Sequence, residues 1–256
     1  MDVSVECHVT SRQMAEHYGH APIVEAVLDI RVSSDRPPTL SVLESIQREF
    51  NADYPKRSNR VQMTSEILAG DSVASSMSQR QIGFLFASDD DRQVFQVRLD
   101  GFSVSRLAPY DRWGTFVAEA KRLWAAYRQT VKPTAATRLA LRYINRINLP
   151  LPVRDFGDYL RTLPEISPDI PQGLAGYFMR LEIPQDEIGT MLVLTEALLP
   201  TSAADETVGV LLDSDVFRPV NITDDLEIWS CFEELRLKKN EVFEACITDK
   251  TRELIR

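Results

Sequence analysis

Three arginines, Arg138, Arg142 and Arg146, stand four residues apart in "TRLALRYINRINLP", a stretch otherwise apolar enough to be a buried strand. On a strand, even-numbered positions share one face. Arg138, Ala140, Arg142, Ile144, Arg146 and Asn148 therefore lie together, while Leu139, Leu141, Tyr143, Ile147 and Leu149 face the core, with Asn145 as the polar exception. Other segments offer company on the arginine side: Glu25, Asp29 and Arg31 from "PIVEAVLDIRV", Arg92, Gln96 and Arg98 from "RQVFQVRLD", and Arg180 with Glu182. Guanidinium groups gathered on one sheet face can clamp a phosphate or carboxylate bidentately. A binding set of Arg31, Arg98, Arg142 and Arg146 with Glu25 and Asp29 would suit a nucleotide or phosphate ligand, its carboxylates holding a divalent metal beside it. The competing expectation is structural: cross-strand ion pairs on a solvated face, each contributing roughly 0.2–1 kcal/mol.

The other reactive residue types are sparse. The E-x-E-x-K opening of triphosphate-processing tunnels is absent, since "EAVLDIR" spaces its acids four apart and ends in arginine. Histidine occurs only at His8, His17 and His20. With Cys7 these make C-H-x8-H-x2-H, which has donors for zinc but no familiar finger spacing. With no histidine beyond position 20, a Ser-His-Asp or Cys-His mechanism has little support. The glycines form no P-loop, GxGxxG or GxSxG, so no cofactor is expected. Asp213 and Asp215 in "VLLDSDVFRP" are either half of a metal-binding carboxylate pair or a strand end and turn. No catalytic residue and no metal ligand is assigned.

These residues need elements to position them. "PIVEAVLDIRV" alternates as a half-buried strand, and Thr39 caps a helix carrying Leu40, Leu43, Ile46, Phe50 and Tyr54 on one face. "YPKRSNR" reads as its breaker. Strands are expected at Val61–Ala69, Gln81–Ser88, Arg92–Asp100 and Phe102–Leu107, the last after a tight turn at Gly101. A strong amphipathic helix spans Trp113 to Val131, where Asp111 can cap it. The quoted strand opens the second half, followed by a short helix near Phe156–Leu160 and the Pro-rich "LPEISPDIPQG". Strands then read at Tyr177–Ile183, Thr190–Leu198 and Thr207–Asp213. The final helix runs from about Asp224, its stripe of Ile228, Phe232, Leu235, Val242 and Cys246 interrupted by Lys239, and Thr248 caps a last turn.

The sum is an α+β fold of mostly antiparallel strands with helices on one face. A flexible segment, 1–20, precedes two topologically similar halves, 21–132 and 133–256, which either share one sheet or build two. The closing helix packs on its own sheet or pairs with a second copy of the chain.

With 44% apolar and 26% charged residues the chain is an ordinary globular sequence, not a disordered one. Its net charge of −9 opposes the broad positive field that nucleic acids and anionic membranes require, and no helix offers a basic groove-facing surface for DNA. No secretory leader and no transmembrane run is legible. Cys7, Cys231 and Cys246 are odd in number and lack CxxC spacing, which fits reduced thiols in a bacterial-type cytoplasm.

Four short segments carry a resemblance: "PIVEA" at Pro22–Ala26, "RLAPYDRW" at Arg106–Trp113, "RYIN" at Arg142–Asn145 and "NEVFEACIT" at Asn240–Thr248. With them the chain, from about His17 onward, resembles a family of sporadically distributed bacterial proteins that has no established activity. In that family the closing helix often has a histidine near the position of Arg236, and its patchy occurrence suits mobile or defence loci. The resemblance implies an accessory role but assigns no site residue. The expectation is a non-enzymatic binding or protein-interaction module that meets a protein partner through its acidic surface; the alternative is a phosphate- or nucleotide-binding protein or metal-dependent phosphohydrolase that uses the arginine- and carboxylate-lined sheet face.

Overall fold

The computed structural model of the protein describes residues 18–68, 74–185, 189–202 and 204–256. The first strand, β1 (Ile23–Ser33), buries Ala26, Leu28 and Ile30 completely and turns Glu25, Val27, Asp29 and Arg31 to the other side. Thr39 then caps α1 (Leu40–Ser45) by accepting from the Val42 N–H. A second turn, α2 (Gln47–Phe50), continues it. Leu43, Ile46, Phe50 and Tyr54 are all buried.

Next comes a meander of β2 (Lys56–Leu68), β3 (Ala74–Ala87), β4 (Gln93–Arg98) and β5 (Gly101–Leu107). Here β2 starts at Lys56, not Val61, so "KRSNR" is strand and pairs with Gly83–Ala87. It is an outermost strand with Lys56 to Arg60 exposed, so neither face imposes the apolar alternation by which strands are read. The β4–β5 turn is as tight as expected, since a Cβ on Gly101 would lie 2.4 Å from the Ile30 carbonyl oxygen.

The helix α3 (Trp113–Val131) lays Phe116, Ala120, Leu123, Trp124 and Tyr127 on the sheet, with Phe102 against both Trp124 and Tyr127. It ends at Lys132, which adopts the left-handed conformation at φ 52°. Asp111 does not cap it. Arg112 holds the cap position without a side-chain bond, and Asp111 instead accepts from the Thr115 hydroxyl at 3.2 Å.

The second half repeats the path with β6 (Ala135–Pro150), a 3-10 turn (Phe156–Asp158), β7 (Phe178–Gln185), β8 (Thr190–Leu198) and β9 (Thr207–Ile222). Then come α4 (Asp225–Cys246) and α5 (Asp249–Ile255), capped by Asp224 and Thr248 respectively. β9 runs on to Ile222 rather than stopping at Asp213. Its "DSD" resembles a turn in composition, but the two aspartates project to one side of a continuing strand.

Among the described residues the strands form one antiparallel sheet in the order β2-β3-β4-β5-β1-β6-β9-β8-β7. In each half the first strand lies at the centre, the chain crosses to the outside, and the remaining strands step back toward it. β1 and β6 pair with each other, Leu28 opposite Leu141, so the halves share the sheet. Helix α4 packs on β6 and β9 and α3 on β5. The α4 stripe is therefore used by the chain's own sheet. One face is covered and the other, carrying the arginines, is open.

Candidate ligand pocket

The charges on the open face are matched among themselves. Asp29 on β1 accepts from Arg98 Nη2 at 2.7 Å and lies 3.5 Å from Arg138 and 3.6 Å from Arg31. Asp100, in the β4–β5 turn, takes Arg31 and Arg98. On β9, Asp213 holds Arg142 through two parallel bonds of 2.8 and 2.6 Å, and Asp215 lies 3.5 Å from Arg138. The Arg138 guanidinium also sits 4.1 Å from the centre of the Phe217 ring. Four guanidinium groups thus meet four carboxylates along a ladder crossing five strands or their turns. That arrangement has no surplus positive charge for a phosphate.

Of the expected set, Arg31, Arg98, Arg142 and Asp29 belong to this ladder. Arg146 and Glu25 do not: Arg146 donates to Asn148 at 3.2 Å, and Glu25 stands opposite Leu107 and Ile144. The six do not converge on a clamp, because cross-strand register delivers an aspartate to each ladder arginine. Asp213 and Asp215 are each engaged by an arginine. Among the described residues no group of three His, Cys, Asp or Glu is placed to bind an ion. Cys7, His8 and His17 lie outside the described residues, while His20 is exposed. Cys231 and Cys246 are buried free thiols.

The covered face contains a different arrangement. Where α4 crosses β6, beside the start of β1 and the β5–α3 junction, there is a cavity of about 220 Å³. Odd positions of β6 point toward the helices, which places Tyr143 and Asn145 in its wall. Asn145 is buried and donates to the Leu212 carbonyl at 3.1 Å, which satisfies the one polar side chain on the core side of that strand. Tyr110 reaches in from the junction, its hydroxyl 2.7 Å from that of Tyr143 and the two rings nearly edge-on. Burial raises the pKa of both phenols, so both stay protonated at neutral pH.

Lys239 completes the wall. It occupies a sheet-facing position of α4 between Leu235 and Val242, and only 9% of it is exposed. Its Nζ lies 3.7 Å from the centre of the Tyr143 ring, and among the described residues no hydrogen-bond acceptor holds it. Removal from water pushes its pKa down to about 7, with Arg236 adding to the shift. Glu244 and the negative face of the tyrosine ring favour the charged form. Glu244 itself is committed elsewhere, accepting from the Tyr18 hydroxyl at 2.7 Å and from Arg252 at 2.8 Å. At the rim, Arg236 lies 5.7 Å from the Trp113 ring centre and 3.3 Å from Glu233, which also accepts from the Trp113 indole at 2.6 Å.

The sequence signal for this site was present and was read as a flaw: a lysine breaking an apolar stripe. Residues far apart in the chain meet at this cavity: Pro22 and Ile23, Tyr110 and Trp113, Tyr143 and Asn145, and Asn240, Phe243 and Glu244. An amine poised between charged and neutral, in an aromatic wall, can bind an anion, accept a proton or attack a carbonyl carbon.

Elsewhere on the covered face, Glu196 of β8 is wholly buried. One of its oxygens accepts from the Tyr177 hydroxyl at 2.6 Å and the other has no partner. Burial pushes its pKa up to about 7. No helix among the described residues is long and apolar enough to cross a membrane. The chain matches no known family profile and no curated protein.

Proposed function

We propose that this protein is a binding module for a small organic molecule, seated between β6 and α4 and gripped by Lys239. One observation carries the reading: a lysine nine-tenths buried whose amine lines a cavity and, among the described residues, has no hydrogen-bond partner. Withdrawing an unpaired amine from water costs folding free energy, and such local costs are tolerated where a site uses them. The aromatic wall suits a compact apolar body, and Lys239 with Arg236 suits a carboxylate or carbonyl on it. At about 220 Å³ the cavity lies just below the usual range for ligand sites, which favours a metabolite-sized ligand over a nucleotide. In the bacterial accessory setting that the resemblance implies, and the cytoplasm that the cysteine pattern suggests, the bound molecule would be a signal passed on to a protein partner.

The test is a thermal-shift screen of small carboxylates, oxo acids, phosphate and nucleotides against the wild type, Lys239→Met and Arg142→Ala. A ligand of the folded state raises Tm by mass action. The expected result is a rise with one of the carboxylates or oxo acids that Lys239→Met abolishes and Arg142→Ala retains. A rise with phosphate or nucleotide that only Arg142→Ala abolishes would overturn the reading in favour of the open face.

A further inference from the structure

Resting on that reading, we propose that the Lys239 amine is a nucleophile that captures the carbonyl carbon of a small aldehyde or oxo acid as an imine. The geometry is that of a reacting group rather than a tether. Nζ has an aromatic ring on one side, no acceptor to satisfy it, and a cavity to receive the carbonyl. The paired hydroxyls of Tyr110 and Tyr143, 2.7 Å apart, line the same cavity. In the reaction the nitrogen lone pair forms the C–N bond while the carbonyl π pair moves to oxygen. The amine proton then passes to that oxygen, giving a carbinolamine. Loss of one water leaves C=N, with no change of oxidation state. The tyrosine pair supplies hydroxyls to polarise the carbonyl and to return a proton to the departing oxygen.

The other lysines of the chain are arranged differently. Lys56 is paired with Asp91 at 2.6 Å, Lys238 with Glu241 at 3.2 Å and Lys250 with Asp158 at 2.9 Å. Lys121 and Lys132 are exposed. An ordinary lysine near pH 7 is neutral in only about one molecule in 10³–10⁴, whereas burial leaves Lys239 close to half neutral. Even with the weaker nucleophilicity of a less basic amine, Lys239 should outpace its neighbour Lys238 by roughly 10²-fold in imine formation.

The experiment uses the full chain at pH 7 with glyoxylate, pyruvate and acetaldehyde in turn, each with cyanoborohydride to trap the imine, and peptide mapping to find the modified lysine. The expected result is an adduct on Lys239 forming about 10²-fold faster than on Lys238, and slower in Tyr143→Phe. Modification of Lys239 no faster than of Lys238 overturns the proposal. The same compounds without reductant separate the two readings. A Tm rise lost in Lys239→Met, without trapping, leaves the binding reading intact and removes the imine. Absence of both a Tm rise and trapping with all three compounds overturns the imine proposal and counts against the binding reading.

Discussion

On the open face of the sheet, four arginines meet four aspartates, and Asp29 alone lies near three guanidinium groups. On the covered face the amine of Lys239 meets an aromatic ring and, among the described residues, no hydrogen-bond acceptor. In the first arrangement every guanidinium lies beside a carboxylate; in the second a lysine nine-tenths buried has none within bonding distance. Abundance of charge is therefore a poor guide to where a ligand goes. A paired charge is part of the scaffold, whereas an unpaired one in a cavity marks a place where binding free energy can be gained.

The strongest way to break the contrast is to unpair the ladder. Asp29→Asn leaves the Arg98 side chain, only 6% exposed, with the partly exposed Asp100 as its remaining acid. It should lower stability by about 2–4 kcal/mol in urea titration, because a buried cation that loses its close partner and keeps only a distant, solvated one is costly. Unchanged stability would mean that the ladder is slack and its arginines are available to a ligand.

Replacing the lone amine should do the opposite. Lys239→Met removes the desolvation cost while keeping the volume, and should add about 1–3 kcal/mol at pH 6. The sign follows from the lowered folded pKa. Between about 7 and the ordinary 10.5 the unfolded chain holds the extra proton, so the wild type gains stability as pH rises through that window. The mutant's advantage should thus be full below pH 7 and largely gone by pH 10. Tyr18, Tyr110, Tyr143, Arg236 and Glu244 face the same cavity, and burial lifts Tyr110 and Tyr143 above the ordinary tyrosine value. A mutant less stable than wild type at pH 6 would show that Lys239 is held by interactions stronger than the ring contact.

Glu196 sharpens the comparison from the acid side. Its folded pKa is raised to about 7 from 4.5, so its contribution is fully present below pH 4.5 and is lost as pH rises through 7. Glu196→Gln stays neutral and keeps an acceptor for Tyr177. It should be neutral in effect at pH 4.5 and stabilising by about 1–2 kcal/mol at pH 8, read from paired denaturation curves. The smallest effect belongs to Arg146→Ala. This exposed side chain outside the ladder should change stability by less than about 0.5 kcal/mol and leave every ligand response in the thermal-shift screen untouched.

Much of the architecture was legible because it is written in short-range pattern. The alternation of β1 and β6, the apolar stripes of α3 and α4, and the caps Thr39 and Thr248 depend on neighbours a few residues away. β2 was misread at its start because an outermost strand exposed on both faces has no reason to alternate. β9 was cut short because "DSD" is turn-like in composition, and only its register against β6, with Asp213 beside Arg142, explains why it continues. The arginine face was visible but its partners were not, since Asp100, Asp213 and Asp215 reach the arginines through pairing that no local pattern encodes. The pocket was hidden for the same reason. Lys239 was conspicuous as an interruption, yet Tyr110 and Tyr143 become its neighbours only through the fold.

The central pairings of the sheet have a consequence for how the chain matures. The β2–β3, β3–β4, β4–β5, β7–β8 and β8–β9 pairs are hairpins that can close locally and early. β1 must wait for β5 and then for β6, and β6 for β9, so the midline of the sheet carries the high contact order that slows folding. On a ribosome the N-terminal meander can close before β6 has emerged, but α4 emerges only after β9 and is the last wall of the cavity. The cavity beside Lys239 is therefore assembled late: a chain stalled before α4 has no such wall to offer.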